Sequence, residues 1–297
     1  MTFLVTGSEG FIGRNLIRRL KEKYGENCPI REYDFKDGEI DEMPDLTDVK
    51  MICHLGAVSS TTEINLDKIM RWNYDFTIKL MHLAVENKIS MWTASSASVY
   101  GTRCLGGLRA LEEDNKGHQE PMSFYSWSKY LIDRHIDTMT PYWKSIGSKP
   151  IASFRLFNVY GPGEEDKLHN GQSSPVTTFV SQAKNDGVIR LFEGSENFFR
   201  DFIHVDDVIT RFINWMESPI YWGVYNVGRG NAISFQQVAE WVAEKYNAKI
   251  EYVPMQGHIR KNYQEWTLAN MDKISKAFNY PMDYVTTEMD EYIASLD

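Results

Sequence analysis

Two side chains four residues apart raise the chemical question: the phenol of Tyr125 and the ammonium of Lys129, in Tyr125-Ser126-Trp127-Ser128-Lys129. On a helix, positions i and i+4 share one face. Free tyrosine titrates near about 10, too high for a base at neutral pH, and a cation one turn away favours the phenolate. Tyr125 could then take a proton from a substrate hydroxyl while hydride leaves the adjoining carbon. Upstream, Thr93-Ala94-Ser95-Ser96-Ala97-Ser98-Val99-Tyr100-Gly101 follows the apolar, strand-like Met91 to Ala94. Ser96 falls where a catalytic hydroxyl should sit and can donate to the reacting oxygen. A lone Tyr-x-x-x-Lys arises by chance in many helices. Here its weight comes from what precedes it.

Near the start of the chain, the apolar run Phe3 to Val5 leads into Gly7-Ser8-Glu9-Gly10-Phe11-Ile12-Gly13. Gly-x-x-Gly-x-x-Gly between a strand and a helix is a dinucleotide loop. Gly7 makes the tight turn, Gly10 lets the backbone approach a pyrophosphate, and Gly13 lets helix and strand pack closely. The following helix presents N–H groups and a positive dipole end to phosphates. Asp34 comes twenty-one residues after Gly13. A carboxylate there can bind the adenosine ribose hydroxyls, which favours NAD. Lys36 could instead accommodate a 2′-phosphate, so NAD and NADP both stand. His54-Leu55-Gly56-Ala57 puts small residues at a strand's carboxyl end, which suits the cofactor crevice, with His54 in the core beside it rather than catalytic. An oxidised nicotinamide would add its positive charge to that of Lys129, and Lys129 would also hold the nicotinamide ribose. The expected cofactor set is Gly7, Gly10, Phe11, Ile12, Gly13, Asp34, Lys36, Leu55, Gly56, Ala57, Asn73, Tyr125, Lys129 and Val159.

Alternating elements must position these groups. Strands are predicted at Phe3 to Val5, Ile30 to Asp34, Met51 to Leu55, Met91 to Ala94 and Ile151 to Leu156. Helices are predicted at Gly13 to Lys23, Ile64 to Asn87 and Tyr125 to Met139. This alternation predicts an α/β fold, a Rossmann-like doubly wound parallel sheet. Sixteen residues separate Asp34 from Met51, short for a full strand–helix unit. Gly38 to Asp41 reads as a vestigial strand. Beyond Gly161 the pattern loosens into short helices (Pro175 to Lys184, Val208 to Glu217, Ser234 to Tyr246) and short strands. We expect a dinucleotide-binding domain over 1–161, joined by 201–231, and a smaller, mainly C-terminal substrate-binding lobe over 162–200 and 232–297.

Composition narrows the alternatives. The chain has 297 residues, 42% hydrophobic and 25% charged, enough for a full core. A net charge of −9 argues against nucleic acid as a partner. No stretch approaches the roughly 20 apolar residues of a membrane span. No basic, cleavable leader precedes Met1 to Thr6, so the expected location is cytoplasmic. Cys28, Cys53 and Cys104 have no metal-ligand spacing, and no metal is expected.

At this point the sequence resembles the extended short-chain dehydrogenase/reductase family along essentially its whole length. Phe157-Asn158-Val159-Tyr160-Gly161-Pro162 and Arg200-Asp201-Phe202-Ile203-His204-Val205-Asp206-Asp207-Val208 match that family's later motifs. The resemblance implies a tightly held NAD or NADP, a nucleotide-diphosphate sugar as substrate, and a homo-oligomer. Ser59 to Glu63, Leu191 to Phe198, Arg200 to Phe202 and Tyr263 to Thr267 are similar to the branch that epimerises ADP-heptose at C6. That likeness implies that Ser96, Asn158, Phe192, Glu193, Gly194, Ser195, Arg200 and Tyr263 line the substrate site. A guanidinium forks onto two oxygens, so Arg200 is expected to clamp the diphosphate, a structural ion pair being the alternative. The implied chemistry is redox-neutral, with Tyr125 on one face of the sugar and a lysine on the other. Here the sequence departs: aligning on His169 and Gly171 puts Asn170 where that lysine is expected. Lys167, three residues earlier, could be delivered by a longer loop, and His169 is a second candidate. The departure keeps a nucleotide-sugar 4-epimerase or a reductase open. A 4,6-dehydratase would want acidic residues where Ala97 and Ser98 stand. A non-catalytic nucleotide-sugar-binding protein is opposed by the intact Ser96, Tyr125 and Lys129.

Overall fold

The computed structural model describes residues 2–34, 42–101, 111–114, 117, 119–218, 220–257, 263–278 and 288–297. The expected Lys36 and the proposed vestigial strand at Gly38 to Asp41 lie outside them. The described chain forms two compact units, one of 1–99, 121–156 and 209–225, the other of 100–120, 157–208 and 226–297. Packing therefore divides the stretch up to 161 between both units instead of ending one of them there.

The first unit is built on a six-stranded sheet. Its strands are β1 (Thr2–Thr6), β2 (Ile30–Tyr33), β3 (Val49–His54), β4 (Ser90–Ser96), β5 (Ile151–Leu156) and β9 (Gly223–Val227), in the order β2-β1-β3-β4-β5-β9. β1 pairs in parallel with β2 and β3, β3 with β4, and β4 with β5. The chain runs outward from β1 to β2, then returns to the far side of β1 as β3. The strand order thus reverses between the carboxyl ends of β1 and β3, where open α/β sheets bind ligands. Alternate residues of the buried strands feed two faces. On one, Leu4, Ile52, Met91 and Ile151 pack with Phe76 and Leu80 of α3 (Phe76–Glu86) and with Ile132, Ile136 and Trp143 of α4 (Phe124–Ser145). On the other, Trp92 stacks on Phe212 with ring centroids 4.1 Å apart, and Phe154 meets Phe212 at 5.3 Å. Phe212 lies on α6 (Val205–Glu217).

Two helices differ from expectation. The segment expected as one helix over Ile64 to Asn87 is α2 (Leu66–Ile69), a π-helical turn (Met70–Asp75) and then α3. The wider turn carries the fully buried Asn73, and such turns favour functional sites. α4 runs six residues past the expected Met139 despite Pro141 inside it. Proline cannot donate to the Asp137 carbonyl. The Thr140 hydroxyl, however, donates to the Ile136 carbonyl at 2.7 Å, and Trp143 is 2% exposed in the core. Burial of one large aromatic outweighs one missing hydrogen bond.

The second unit holds a three-stranded sheet of β10 (Ala232–Ser234), β8 (Phe199–His204) and β6 (Asn158–Tyr160), and a two-stranded one of β11 (Lys249–Val253) and β7 (Val188–Phe192). β8 pairs antiparallel with β10 and parallel with β6, so this is not a continuation of the doubly wound pattern. Its core joins Val176 and Phe179 of α5 (Pro175–Asp186), Ile189 and Leu191 of β7, and Val238 and Val242 of α7 (Phe235–Tyr246) with Ile293 near the C-terminus. Among the described residues, no helix is long and apolar enough to cross a membrane.

Candidate active site

The loop after β1 shows why its glycines are there. Gly7 has φ +69°, and a Cβ on it would lie 2.6 Å from the Gly56 nitrogen, so the carboxyl ends of β1 and β3 touch through bare backbone. A Cβ on Gly13 would lie 2.1 Å from the Gly7 carbonyl oxygen, which α1 (Phe11–Tyr24) could not tolerate. Gly10 is the N-cap of α1 and supplies no side-chain cap to the helix. Asp34, just past β2, accepts a 2.8 Å hydrogen bond from the Glu9 N–H, which fixes its carboxylate beside the loop. A glycine cradle at a helix N-terminus with a carboxylate held next to it fits the pyrophosphate and ribose of a dinucleotide.

Beneath the loop, hydrogen bonds fix the tautomer of His54. Gly56 N–H donates to Thr6 Oγ1 at 3.1 Å, and the Thr77 hydroxyl donates to the Asn73 carbonyl at 2.5 Å. Thr77 Oγ1 must therefore accept from His54 Nε2–H at 2.7 Å. Nδ1 is left to accept from the Thr6 hydroxyl at 2.6 Å. Burial pushes the His54 pKa down to about 3, with the Lys129 charge adding to it. This is a neutral structural imidazole, as expected. Asn73 continues the network: its Oδ1 accepts from Val58 N at 2.8 Å, and its Nδ2 donates to the Val58 carbonyl at 3.1 Å and to Ser128 Oγ at 3.0 Å. Both amide hydrogens go to protein atoms, so Asn73 ties the loop after β3 to the helix that carries Tyr125 and Lys129.

That helix starts well defined. The Ser123 hydroxyl oxygen caps it by accepting from the Ser126 N–H, and the Ser126 hydroxyl oxygen accepts in turn from the Ser123 N–H. Tyr125 and Lys129 share a face, with the Lys129 Nζ 5.9 Å from the Tyr125 ring centroid. Nζ donates to the Ala94 carbonyl of β4 at 2.8 Å, two residues before Ser96. The Ser96 hydroxyl lies close enough to the Tyr125 phenol to favour its ionised form. Ser96, Tyr125 and Lys129 are thus one assembled set. Their electrostatics differ from expectation. Burial raises the Tyr125 pKa, the Ser96 hydroxyl lowers it in part, and the Asp133 carboxylate raises it further. Burial pulls Lys129 down to about 8, opposed by Asp133. The protein's own groups hold Tyr125 as a phenol: desolvation outweighs the help that the Lys129 cation was expected to give.

Asp133 is the residue that the sequence reading missed. Its fully buried carboxylate accepts from Ser95 Oγ at 3.0 Å, from Ser153 Oγ at 2.6 Å and from Arg155 Nε at 2.7 Å. The signal was present: Tyr125, Lys129 and Asp133 repeat at i, i+4 and i+8 on one helix face.

Phe11, Ile12, Leu55 and Ala57 lie in the first unit with the glycine loop, and the expected substrate residues other than Ser96, together with Lys167, lie in the second. Val159, expected among the cofactor residues, lies there too, beside Asn158 on β6. Arg200 is 6% exposed, its guanidinium carbon 5.3 Å from the Phe235 ring centroid and 5.4 Å from that of Tyr263. Tyr263 also packs edge-on against Phe198 at 5.1 Å and Phe192 at 6.2 Å. Phe192, Arg200 and Tyr263 are therefore brought together. Gly194, at φ +85°, turns the chain between Glu193 and the buried Ser195, whose hydroxyl donates to Gln236 Oε1 at 3.3 Å. Asp201 is not exposed: it accepts from the N–H groups of Arg229, Gly230 and Ala269 at 2.6, 2.9 and 3.0 Å and serves as an internal clasp. Lys167 sits half-buried in a 3-10 turn, Glu165–Asn170, with His169 exposed in the same turn. The turn follows Glu164, whose carboxylate accepts from the N–H and hydroxyl of Ser174 at 2.7 and 2.6 Å, at the start of α5.

A model of the NAD dependent epimerase/dehydratase family matches residues 3–228. An ADP-L-glycero-D-manno-heptose-6-epimerase of Brachyspira hyodysenteriae is 34% identical, over 99% of this chain and 97% of that protein. Among solved structures, the ADP-L-glycero-D-manno-heptose-6-epimerase of Helicobacter pylori superposes with a TM-score of 0.79 at 24% identity, covering 98% of this chain and 93% of the other. A UDP-glucuronic acid 4-epimerase from Bacillus cereus, in complex with UDP-glucuronic acid and NAD, gives 0.77 at 19% identity, covering 99% and 96%. At these identities the structural likeness speaks for the fold.

Proposed function

Because this chain belongs to the NAD dependent epimerase/dehydratase family, we propose that it epimerises a nucleotide-linked sugar, an ADP-heptose inverted at C6, by transient oxidation and re-reduction. The observation that carries this reading is the set Ser96–Tyr125–Lys129, in a chain similar from end to end to a heptose epimerase. Gly7, Gly10 and Gly13 with Asp34 would hold the dinucleotide, and the Asp34 carboxylate favours NAD. A bound nicotinamide supplies a reversible hydride acceptor. The Tyr125 phenol exchanges a proton with the sugar hydroxyl, and Ser96 donates to the same oxygen and spreads its charge. Lys129 contributes positive charge beside the phenol, and its Ala94 anchor keeps it there. In the second unit, Arg200 presents a guanidinium steadied by two aromatic rings, suited to the diphosphate, with Asn158, Phe192 to Ser195 and Tyr263 completing the substrate set. Lys167 is the proposed second acid/base group, for the opposite face of the ketone.

The test is an incubation of the purified protein with ADP-D-glycero-D-manno-heptose, the product epimers being resolved by NMR. Conversion without net cofactor consumption is expected. No conversion with cofactor bound would overturn the heptose reading. It would favour a 4-epimerase that turns its keto-sugar over and needs only Ser96, Tyr125 and Lys129, which Asn170 in place of the expected lysine also permits.

A further inference from the structure

The buried cluster of Asp133, Arg155, Ser95 and Ser153 lies behind the redox set and takes no part in the chemistry above. An ion pair this deep must justify its desolvation by geometry, and every lone pair it leaves should find a donor. Here the geometry is complete: Arg155 and Asp133 are 1% and 0% exposed, with Nε to Oδ2 at 2.7 Å. Two serine hydroxyls add to it, Ser95 donating to Oδ2 and Ser153 to Oδ1. Three elements meet at this group. Asp133 comes from α4, Ser153 and Arg155 from β5, and Ser95 from β4. Ser95 stands between Ala94, whose carbonyl holds the Lys129 Nζ, and Ser96, whose hydroxyl lies close to the Tyr125 phenol. The two halves of the redox set thus sit on different elements, and Asp133 is bonded to the strand half from the helix half.

We propose that Asp133 is a positioning residue, whose carboxylate locks the end of β4 to α4 so that Ser96 meets Tyr125, and whose charge keeps Lys129 an ammonium. Few other groups compete for that role. Tyr125 and Asp133 face Lys129 from its own helix, and β5 offers only Arg155, already paired with Asp133. β3 offers His54, neutral through burial. The π-turn offers the uncharged Asn73, its Arg71 and Asp75 being exposed, and the charged residues of α2, Asp67 and Lys68, are exposed as well. α3 brings the exposed His82, which lies against His135 instead. Among the described groups, Asp133 is the negative charge that opposes the desolvation of Lys129.

The inference rests on Tyr125 and Lys129 being the redox pair, but its test can be read without substrate. In protein carrying labelled lysine, with the Lys129 resonance assigned through Lys129→Met, Asp133→Asn is expected to lower the Lys129 titration midpoint by roughly one unit. The alkaline limb of kcat should move with it. Ser153→Ala, which removes a hydrogen bond but no charge, should leave the midpoint in place, and a shift of equal size there would assign the effect to packing and overturn the proposal. A folded Asp133→Asn protein whose midpoint and kcat both match wild type would also overturn it. If that variant does not fold, Ser95→Ala decides: a several-fold loss of kcat at unchanged KM supports the lock, and wild-type kcat removes it. Should the wild type convert no nucleotide sugar, the proposed function fails, and the midpoint measurement still decides this inference.

Discussion

At the residue scale, the phenol held protonated by its surroundings is the informative departure from expectation. A Tyr-x-x-x-Lys pair suggests a poised base, but desolvation acts on both members and drives them against their charged forms. Lys129 alone does not outweigh that burial, so the positive charge of a bound nicotinamide would have to add to it. Tyr125→Phe is expected to lower kcat on the order of a hundred- to ten-thousand-fold, with dinucleotide affinity by fluorescence titration near that of wild type; near-normal turnover would remove Tyr125 from the mechanism. Lys129 supplies a pH prediction. Its folded pKa of about 8 lies below the ordinary 10.5, so as pH rises it loses its proton first in the folded state. Activity should fall above about pH 8 on an alkaline limb. Between that pH and 10.5 the unfolded chain holds more protons, so stability rises with pH on this account. An activity profile flat to pH 10 would contradict the role given to the cation. Lys167→Ala tests the second acid/base group: a severe loss of 6-epimerisation is expected, and an unchanged rate would leave Tyr125 as the sole one. The grouping of Ser96, Tyr125 and Lys129 and the glycine loop were legible in the sequence because both are local patterns at helical or turn spacing. Asp133 was half legible, by its spacing from Lys129. Its partners Ser95, Ser153 and Arg155 were not, since only the sheet brings them to it.

At the element scale, the first unit followed the alternation of its sequence closely, because buried parallel strands read as apolar runs. Helix ends were misread where packing overrode a local signal, as at Pro141 and the π-helical turn. Pro141→Ala should restore a donor for the Asp137 carbonyl and stabilise the protein by about 1 to 3 kcal/mol in denaturant melts; a loss of stability would mean that the proline sets the helix's course. Gly13→Ala should cost about 3 kcal/mol or more and abolish dinucleotide binding, since its methyl would strike the Gly7 carbonyl. Cofactor binding at wild-type strength would contradict the cradle. His54 ties β1, β3 and the π-turn together as a neutral ring. Its folded pKa of about 3 lies below the ordinary 6.5, so below about pH 6.5 the unfolded state gains protons that the folded state refuses. Stability should fall with pH through that window, and less steeply in His54→Gln.

At the scale of the whole molecule, the second unit was the least legible. Its sheets are small and mixed, its strands come from distant parts of the chain, and no periodic pattern announces pairs such as β6 with β8. What sequence could offer there was motif likeness, and Arg200, Phe192 and Tyr263 do come together. Asp201, from the same motif, proved to be a clasp for backbone N–H groups. Exposed apolar side chains at Leu66, Phe124 and Trp127 fit the expected homo-oligomer. Sedimentation is expected to give a dimer or larger, and a monomer at micromolar concentration would overturn that expectation.

The two units are interleaved: three segments of chain build each, so the polypeptide passes from one to the other five times. A ribosome delivers the chain from its N-terminus, and a domain that is continuous in sequence can fold as soon as it emerges. Neither unit of this protein is continuous in sequence. The glycine loop and the redox set are synthesised by residue 129, yet β9, the last strand of their sheet, ends at Val227. For that interval the nascent chain carries the proposed dinucleotide site on a sheet whose β5 edge still lacks β9, and that edge is what a chaperone would need to shield.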